Sequence, residues 1–328
     1  MILVQGKIII SFLSHMILSD DKIFFAVDRG GTFTDVFAIY GTTTYCEKLL
    51  SEDPTHYTDA PREGIRRIME RISGEPIPTE VPTHMLQSIR MGTTVATNAL
   101  LERRGEPCCL VITKGFGDLL RIGHQNRPDL FALNIQKPQP LHKLVIEVEE
   151  RVRPLSAQDS ANQHKIVTGI SNTSFVVLQK PDPKQIRVQL QQVYDRGIRS
   201  LAIVLMHGHN YQEHEIIIGE MAQSMGFTNI SLSHKVMPRI RIVGRGDTTC
   251  VDAYLTPHIT QYLHGFRQGF HPSIKEIPIH FMQSNGGLVS GEEFTGSNAI
   301  LSGPAGGVCG YAATTYELMG NKPVIGFD

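Results

Sequence analysis

The sequence lacks the spacings that hold catalytic or structural metals. Five cysteines occur in 328 residues, Cys46, Cys108, Cys109, Cys250 and Cys309, and none forms a CxxC. An odd, unpatterned set, with two members adjacent in an apolar run, reads as reduced thiols of a cytosolic protein. The histidines are scattered, with no HExxH and no two-His-plus-carboxylate spacing, so zinc catalysis is not indicated. His207 and His209 flank Gly208 at the end of an apolar run and read as loop hydrogen-bonding residues. No G-x-S-x-G elbow is present, which disfavours a serine hydrolase. Charge is nearly balanced at −1, so neither a nucleic-acid-binding basic surface nor an acidic solvating tail is expected. The apolar run Lys7–Leu18 is too short to span a bilayer. Ser19-Asp20-Asp21 follows it in place of a small-residue cleavage site. We therefore expect no membrane segment, and residues 1–23 read as a dispensable extension with Met16 as an alternative start.

What is present suits a globular α/β protein. The length allows roughly two domains at ~150 residues each, and the 19% charged fraction is that of a water-exposed globular chain. Lys22–Val27 is a short apolar run and predicts a buried strand. Val36–Tyr40 and Thr42–Leu50 predict two more, with Gly41 at a turn. Asp59 suits a helix N-cap, Pro61 its first turn, and Gly74 its end; Ile65, Ile68, Met69 and Ile72 form one apolar stripe between them. Further strands are expected at Cys108–Thr113, in KLVIEVEERV, at Ser200–His207, in NISLSH and at Ile277–Met282. Helices are expected through NALLERR, in FGDLLRIG, and at Pro181–Gly197, His214–Gly226 and Val251–Phe266. Ser156–Ser174 reads as loop, GGLVSGEEF as a turn, LSGPAGGVCG as a glycine-rich loop feeding a helix, and Pro323–Asp328 as a strand. Strands forming a hairpin early and alternating with helices later predict fold class α/β with a mixed sheet. A composition shift near Ser233–Gly246 suggests a domain boundary, giving 24–232 and 233–328.

Three stretches carry chemistry. In D-R-G-G-T-F-T-D (Asp28–Asp35) the glycines let backbone amides approach an anion, and threonine hydroxyls add donors. Asp28 at a strand end suits a hydrated Mg²⁺, and Arg29 adds charge. G-K-[ST] is absent and a strand follows where a Walker or dinucleotide loop would lead into a helix, so the stretch reads either as a glycine turn with exposed threonines or, given the flanking strands, as a phosphate cradle on a hairpin, the reading we favour. Thr93, Thr94, Thr97 and Asn98 stand at a helix start, where they either cap the helix or face an anion or amide ligand. Ser302, Gly303, Gly306 and Gly307 precede a helix, where they either hold a nucleotide or carboxylate or allow tight packing.

Taken together, FAVDRGGTFTDVFA, KLLSEDP, EGIRRIME, IRMGTTVATNALLERRGE, RPDLFALNI, GIRSLAIVLMH, MPRIRIVGRGDTTCVDAYLTP, SNGGL and LSGPAGGVCGYAATTY resemble the hydantoinase A/oxoprolinase family. The blocks run in order from about Phe24 to Asp328. The resemblance implies an actin/Hsp70-like (ribonuclease H-like) ATPase fold, its first domain complete and its second cut short. It implies ATP and Mg²⁺ as cofactors and 5-oxo-L-proline as substrate, hydrolysed to L-glutamate with release of ADP and phosphate, in the cytosol and within glutathione metabolism. Phosphorylating the lactam oxygen would turn a poor electrophile into one that water can open.

By the same resemblance Asp28, Thr32 and Asp328 would be catalytic, with Asp28 holding the metal. The nucleotide would contact Asp28, Arg29, Gly30, Gly31, Thr32, Thr34, Ser302, Gly303, Gly306 and Gly307. Thr93, Thr94 and Asn98 are the positions assigned to the lactam. In RIVGRGD, Arg241 and Arg245 lack the glutamate that N-methylhydantoinase relatives carry between them, which favours 5-oxoproline over a hydantoin. Full-length members are expected to be homo-oligomers. A second phosphate loop would begin at the acid of VIGFD, so the chain as it stands is expected to be an inactive or weakly nucleotide-binding piece.

Overall fold

The computed structural model describes residues 21–127, 129–157, 159, 165–316, 319–320, 322–323 and 325–326. The N-terminal extension, apart from its last three residues, and Asp328 lie outside the described residues. So do Val324 and Phe327 of the expected C-terminal strand; its described members Pro323, Ile325 and Gly326 are not in a strand. The described chain forms two compact units, one built from residues 21–104 and the part of the chain from His258 onward, the other from Gly105–Pro257.

Unit 1 holds a six-stranded mixed sheet in the order β13-β12-β4-β1-β2-β3. Strands β1 (Ile23–Arg29), β2 (Phe33–Tyr40) and β3 (Thr43–Leu50) are an antiparallel meander. On the other side of β1, β4 (Leu86–Thr93) and then β12 (Ile279–Met282) continue the sheet in parallel, and β13 (Leu288–Ser290) closes it as an antiparallel edge. A continuous apolar β1, IFFAV, explains its central place, because a central strand is buried on both faces. Helix α1 (Ala60–Ser73) packs against the meander with Ile65, Ile68 and Met69 fully buried. Its limits follow from local chemistry. Asp59 Oδ1 accepts from the Arg62 amide at 2.8 Å, and Gly74 takes the left-handed conformation (φ 72°) that ends the helix.

Unit 2 holds a four-stranded sheet in the order β11-β10-β5-β6, all parallel: β5 (Cys108–Thr113), β6 (His142–Val148), β10 (Ser200–Val204) and β11 (Asn229–Leu232). Its core joins Val111, Leu201 and Ile203 from the strands with Ile186, Leu190, Ile218 and Ala222 from the covering helices. Those helices are α4 (Pro183–Asp195) and α5 (Glu213–Ser224). A separate antiparallel sheet, β7-β9-β8, is built from β7 (Arg151–Pro154), β8 (Lys165–Thr168) and β9 (Ser174–Gln179). KLVIEVEERV is thus two strands in two sheets, broken at Glu149–Glu150, and the expected Ser156–Ser174 loop contains β8.

Three other expectations change. The helix expected at Val251–Phe266 runs over Ile242–Gln268 with Pro257 inside it. GGLVSGEEF contains β13. The glycine-rich LSGPAGGVCG stretch does not precede its helix but is the helix, Ser302–Tyr311. A Cβ on Gly303 would lie 3.5 Å from Thr94 Cγ2 and one on Gly306 3.8 Å from Met282 Cγ, both ordinary contact distances.

Candidate functional site

Strand β1 delivers Asp28 and Arg29 to the end of the unit 1 sheet, and β2 returns from Phe33, so Gly30–Thr32 is the tip of a hairpin. The turn is closed by the Gly30 amide donating to Phe33 O at 3.0 Å. A Cβ on Gly30 would come within 2.9 Å of that carbonyl, so only glycine fits. From behind, Ser51 Oγ donates to Gly30 O at 2.8 Å and the Ser51 amide to Thr32 O at 2.8 Å. Thr34 is fully buried with its hydroxyl 2.9 Å from Ser51 Oγ. Because the Ser51 proton is committed to Gly30, Thr34 donates to Ser51. Thr34 therefore braces the loop from inside, and Gly31, Thr32 and Asp28 form its exposed side. Ser51, a loop residue in KLLSEDP, was not singled out as a functional position; nothing local in the sequence marks its reach to the turn. The motif's second acid, Asp35, is paired with Lys48 across β2–β3 at 2.8 Å.

The three stretches weighed separately in the sequence meet here. Thr94, following β4, donates through both its amide (3.0 Å) and its hydroxyl (3.3 Å) to Arg29 O. Thr93 is buried, and its hydroxyl accepts from the Val95 amide at 3.2 Å, while the N-cap residue, Thr94, makes no side-chain cap bond. From α2 (Val95–Leu101), the Asn98 amide nitrogen lies 3.3 Å from where a Cβ on Gly31 would stand. Ser302 is buried and donates to Thr93 O at 2.6 Å, while Thr97 donates to Ile300 O. Gly307 has open space beside it. Thus Asp28, Gly31 and Thr32 are exposed at the hairpin tip, with Gly30 half-buried at its base and Asn98 beside Gly31. Thr34, Thr93, Thr94 and Ser302 brace the surrounding structure with hydroxyls already engaged. Arg29 turns its guanidinium to 4.8 Å from the centre of the partly buried Tyr262 ring, and its Nε is buried without a hydrogen-bond partner. Burial pushes the Tyr262 hydroxyl well above its usual range.

Unit 2 carries a different polar centre at the carboxyl ends of β5, β10 and β11. Glu215 and Arg245 are both fully buried. Glu215 accepts from the Leu205 amide (2.9 Å), Ser233 Oγ (2.6 Å), the His234 amide (3.1 Å) and His234 Nδ1 (2.7 Å). Arg245 donates to Ser233 Oγ and to the carbonyls of Leu205, Met206 and Arg239, and burial lowers its pKa. Arg245 thus ties strand ends together, while Arg241 is exposed. His207 packs its ring 5.5 Å from Phe175, and His209 Nδ1 is buried without a partner.

Burial lowers the pKa of His142, His207 and His209. A histidine held below its unfolded value of about 6.5 binds a proton more readily when unfolded. Stability is then fully present above that value and falls with pH below it. Urea unfolding followed through unit 2 should show a lower midpoint at pH 5.5 than at pH 7.5; equal midpoints would contradict the assignment.

Among the described residues, no cluster of three His, Cys, Asp or Glu side chains can hold a metal, and no helix is long and apolar enough to cross a membrane. Residues 24–226 match the family described as hydantoinase/oxoprolinase N-terminal region, and 245–328 match hydantoinase/oxoprolinase. The chain is 47% identical over 325 residues to a 5-oxoprolinase of Dictyostelium discoideum, covering 93% of this chain and 26% of that protein. It is 49% identical over 313 residues to 5-oxoprolinase 1 of Arabidopsis thaliana, covering 94% and 25%. It therefore spans about a quarter of the length of the curated relatives it matches. Among solved structures, the ATP-dependent caprolactamase from Pseudomonas jessenii superposes with a TM-score of 0.64 at 26% identity, over 86% of this chain and 39% of that one. With both family regions matched in order and the mixed α/β sheets in place, the chain belongs to the hydantoinase/oxoprolinase family.

Proposed function

We propose that the Asp28–Thr34 hairpin is one wall of an ATP site, in a protein that couples ATP hydrolysis to opening 5-oxo-L-proline to L-glutamate. The observation that carries this is the hairpin tip, with Gly31, Thr32 and Asp28 exposed and the Asn98 amide beside Gly31. The residues fit a phosphate: Gly30 makes the tight turn with its own amide closed on Phe33 O, Gly31 leaves the backbone open at the tip, and the Thr32 hydroxyl and Asn98 amide add donors. One carboxylate suits Mg²⁺, which keeps its waters and takes phosphate oxygens as further ligands. When bound, the ion would neutralise charge on the phosphate oxygens. Asp28 would hold its water shell, and the loop backbone, braced by Ser51 and Thr34, would fix the phosphate in place. The lactam substrate is supported by the names of the relatives at 47% and 49% identity. An actin/Hsp70-like ATPase arrangement is consistent with the mixed sheet of unit 1.

Calorimetric titration of the 328-residue chain with ATP and Mg²⁺ tests the site. The wild-type chain is expected to bind. Gly31→Val, whose side chain meets Asn98, should weaken binding by about tenfold or more, equivalent to ~1.4 kcal/mol. Asp28→Asn should remove most of the Mg²⁺ dependence. An unchanged affinity in Gly31→Val, or no binding by the wild type, would overturn the assignment.

A further inference from the structure

Unit 2 contains a pocket of about 770 Å³ in the connection between β5 and β6. In this parallel sheet β10 and β11 lie to one side of β5 and β6 to the other, so the connections leaving β5 and β10 diverge. Ligands of open parallel sheets bind beyond the carboxyl ends of the strands at such a switch. The short helix α3 (Leu119–Ile122) that forms part of the pocket stands at that end. Its Leu120 lies against Gly246, beside Arg245, which binds the carbonyls that follow β10.

The chemistry of the lining is selective. Arg121, Arg127 and Lys137 face one acid, Asp118, so the pocket favours an anion. Ile122 and Ile135 supply an apolar wall for a small hydrocarbon body, and Gln125 and Asn126 supply amide donors and acceptors. Gln125 sits in the left-handed region (φ 58°), uncommon for a residue with a side chain and frequent at ligand sites. Lys137 donates to the carbonyls of Arg121 (3.1 Å) and Ile122 (2.8 Å), and Arg127 to Leu130 O (2.9 Å), so both hold the pocket's shape.

We propose that this pocket binds a small carboxylate carrying a cyclic amide, with 5-oxo-L-proline as its ligand. Arg121 takes the carboxylate, with Arg127 and Lys137 adding positive charge from their places in the wall, the amides of Gln125 and Asn126 take the lactam N–H and C=O, and the isoleucines take the ring methylenes. The proposal rests on the lactam reading above for the ligand's identity, and on the pocket alone for its class. All three cations are exposed, so binding is modest and weakens with salt.

The test is titration of the 328-residue chain with 5-oxo-L-proline, 2-pyrrolidinone and L-proline, without nucleotide. 5-Oxo-L-proline should bind most tightly. Pyrrolidinone lacks the carboxylate and proline lacks the ring carbonyl, so each should bind more weakly. Arg121→Glu should reduce 5-oxo-L-proline affinity by about tenfold or more, the size expected for losing a hydrogen bond to a charged group. Arg121→Gln should fall between, and the circular dichroism spectrum should stay unchanged in both. No binding by the wild-type chain, equal binding of pyrrolidinone or proline, or unchanged affinity in Arg121→Glu would overturn the proposal. The nucleotide titration with Gly31→Val is independent. Nucleotide binding without 5-oxo-L-proline binding sinks the pocket and leaves the ATP site standing; the reverse result sinks the ATP site and leaves the pocket.

Discussion

Glu215→Ala is expected to cost unit 2 about 3–5 kcal/mol, the range for removing one partner of a buried charged network. The carboxylate satisfies four donors: the Leu205 and His234 amides, Ser233 Oγ and His234 Nδ1. Removing it leaves them facing a void and leaves the buried Arg245 guanidinium without the Glu215 charge that acts on it. Water cannot easily reach the gap, because the loop at Gly208 covers it: a Cβ on Gly208 would lie 2.1 Å from Glu215 Oε1. Against a typical domain stability of ~5–15 kcal/mol this is a large fraction. Chemical denaturation should report it, and a loss below ~1 kcal/mol would refute the network's importance. Arg245→Met combined with Glu215→Ala should lose less than the two single losses added. Once either is gone, much of the other's cost has already been incurred.

The second large effect is a reversal of sign between two glycines. Glycine inside a helix normally costs ~1 kcal/mol relative to alanine. Gly265→Ala, in the long helix Ile242–Gln268, meets nothing within 4 Å and should stabilise by ~0.5–1 kcal/mol. Gly64→Ala in α1 should do the opposite. Its Cβ would lie 2.4 Å from Val36 Cγ2 and 3.0 Å from Leu49 Cδ1, where helix and meander touch. Overpacking of that kind costs ~1–3 kcal/mol and outweighs the helix gain. Thermal unfolding of the two variants should move the melting temperature in opposite directions; a rise in both would show that α1 lifts from the sheet without cost.

Legibility in the sequence followed how local the determinant was. Helix α1 was readable at both ends because Asp59, Pro61 and Gly74 act within a few residues. The β1–β2 hairpin was readable because an unbroken apolar run, a glycine pair and a second apolar run lie in sequence. Strand β4 was not, although it lies centrally in the unit 1 sheet. LQSIRMGT mixes Ser88 and Arg90 with apolar residues and has Gly92 next to its last residue, and its burial comes from neighbours far along the chain. The helix at Ser302–Tyr311 was hidden by its four glycines, which lower helix propensity and read locally as a loop.

At the site, residue chemistry pointed to the loop, but the division of labour was a tertiary matter. Strand alternation allows Thr34 to face either way. Only Ser51, brought round by β3, decides that it faces inward. The approach of Asn98 to the hairpin and of Ser302 to the end of β4 likewise depends on the order of strands, which no local pattern encodes.

The discontinuity of unit 1 has a consequence for synthesis on the ribosome. β4 pairs with β12, Ile89 beside Ile279, roughly 190 residues later. At ~5–20 residues per second, β4 waits roughly 10–40 s for its partner, while all of the contiguous unit 2 emerges first. During that interval the nascent chain presents an unpaired parallel edge, the kind of surface that recruits other strands. Translation speed and chaperone capture over this window therefore bear on the yield of correctly assembled protein, alongside final stability.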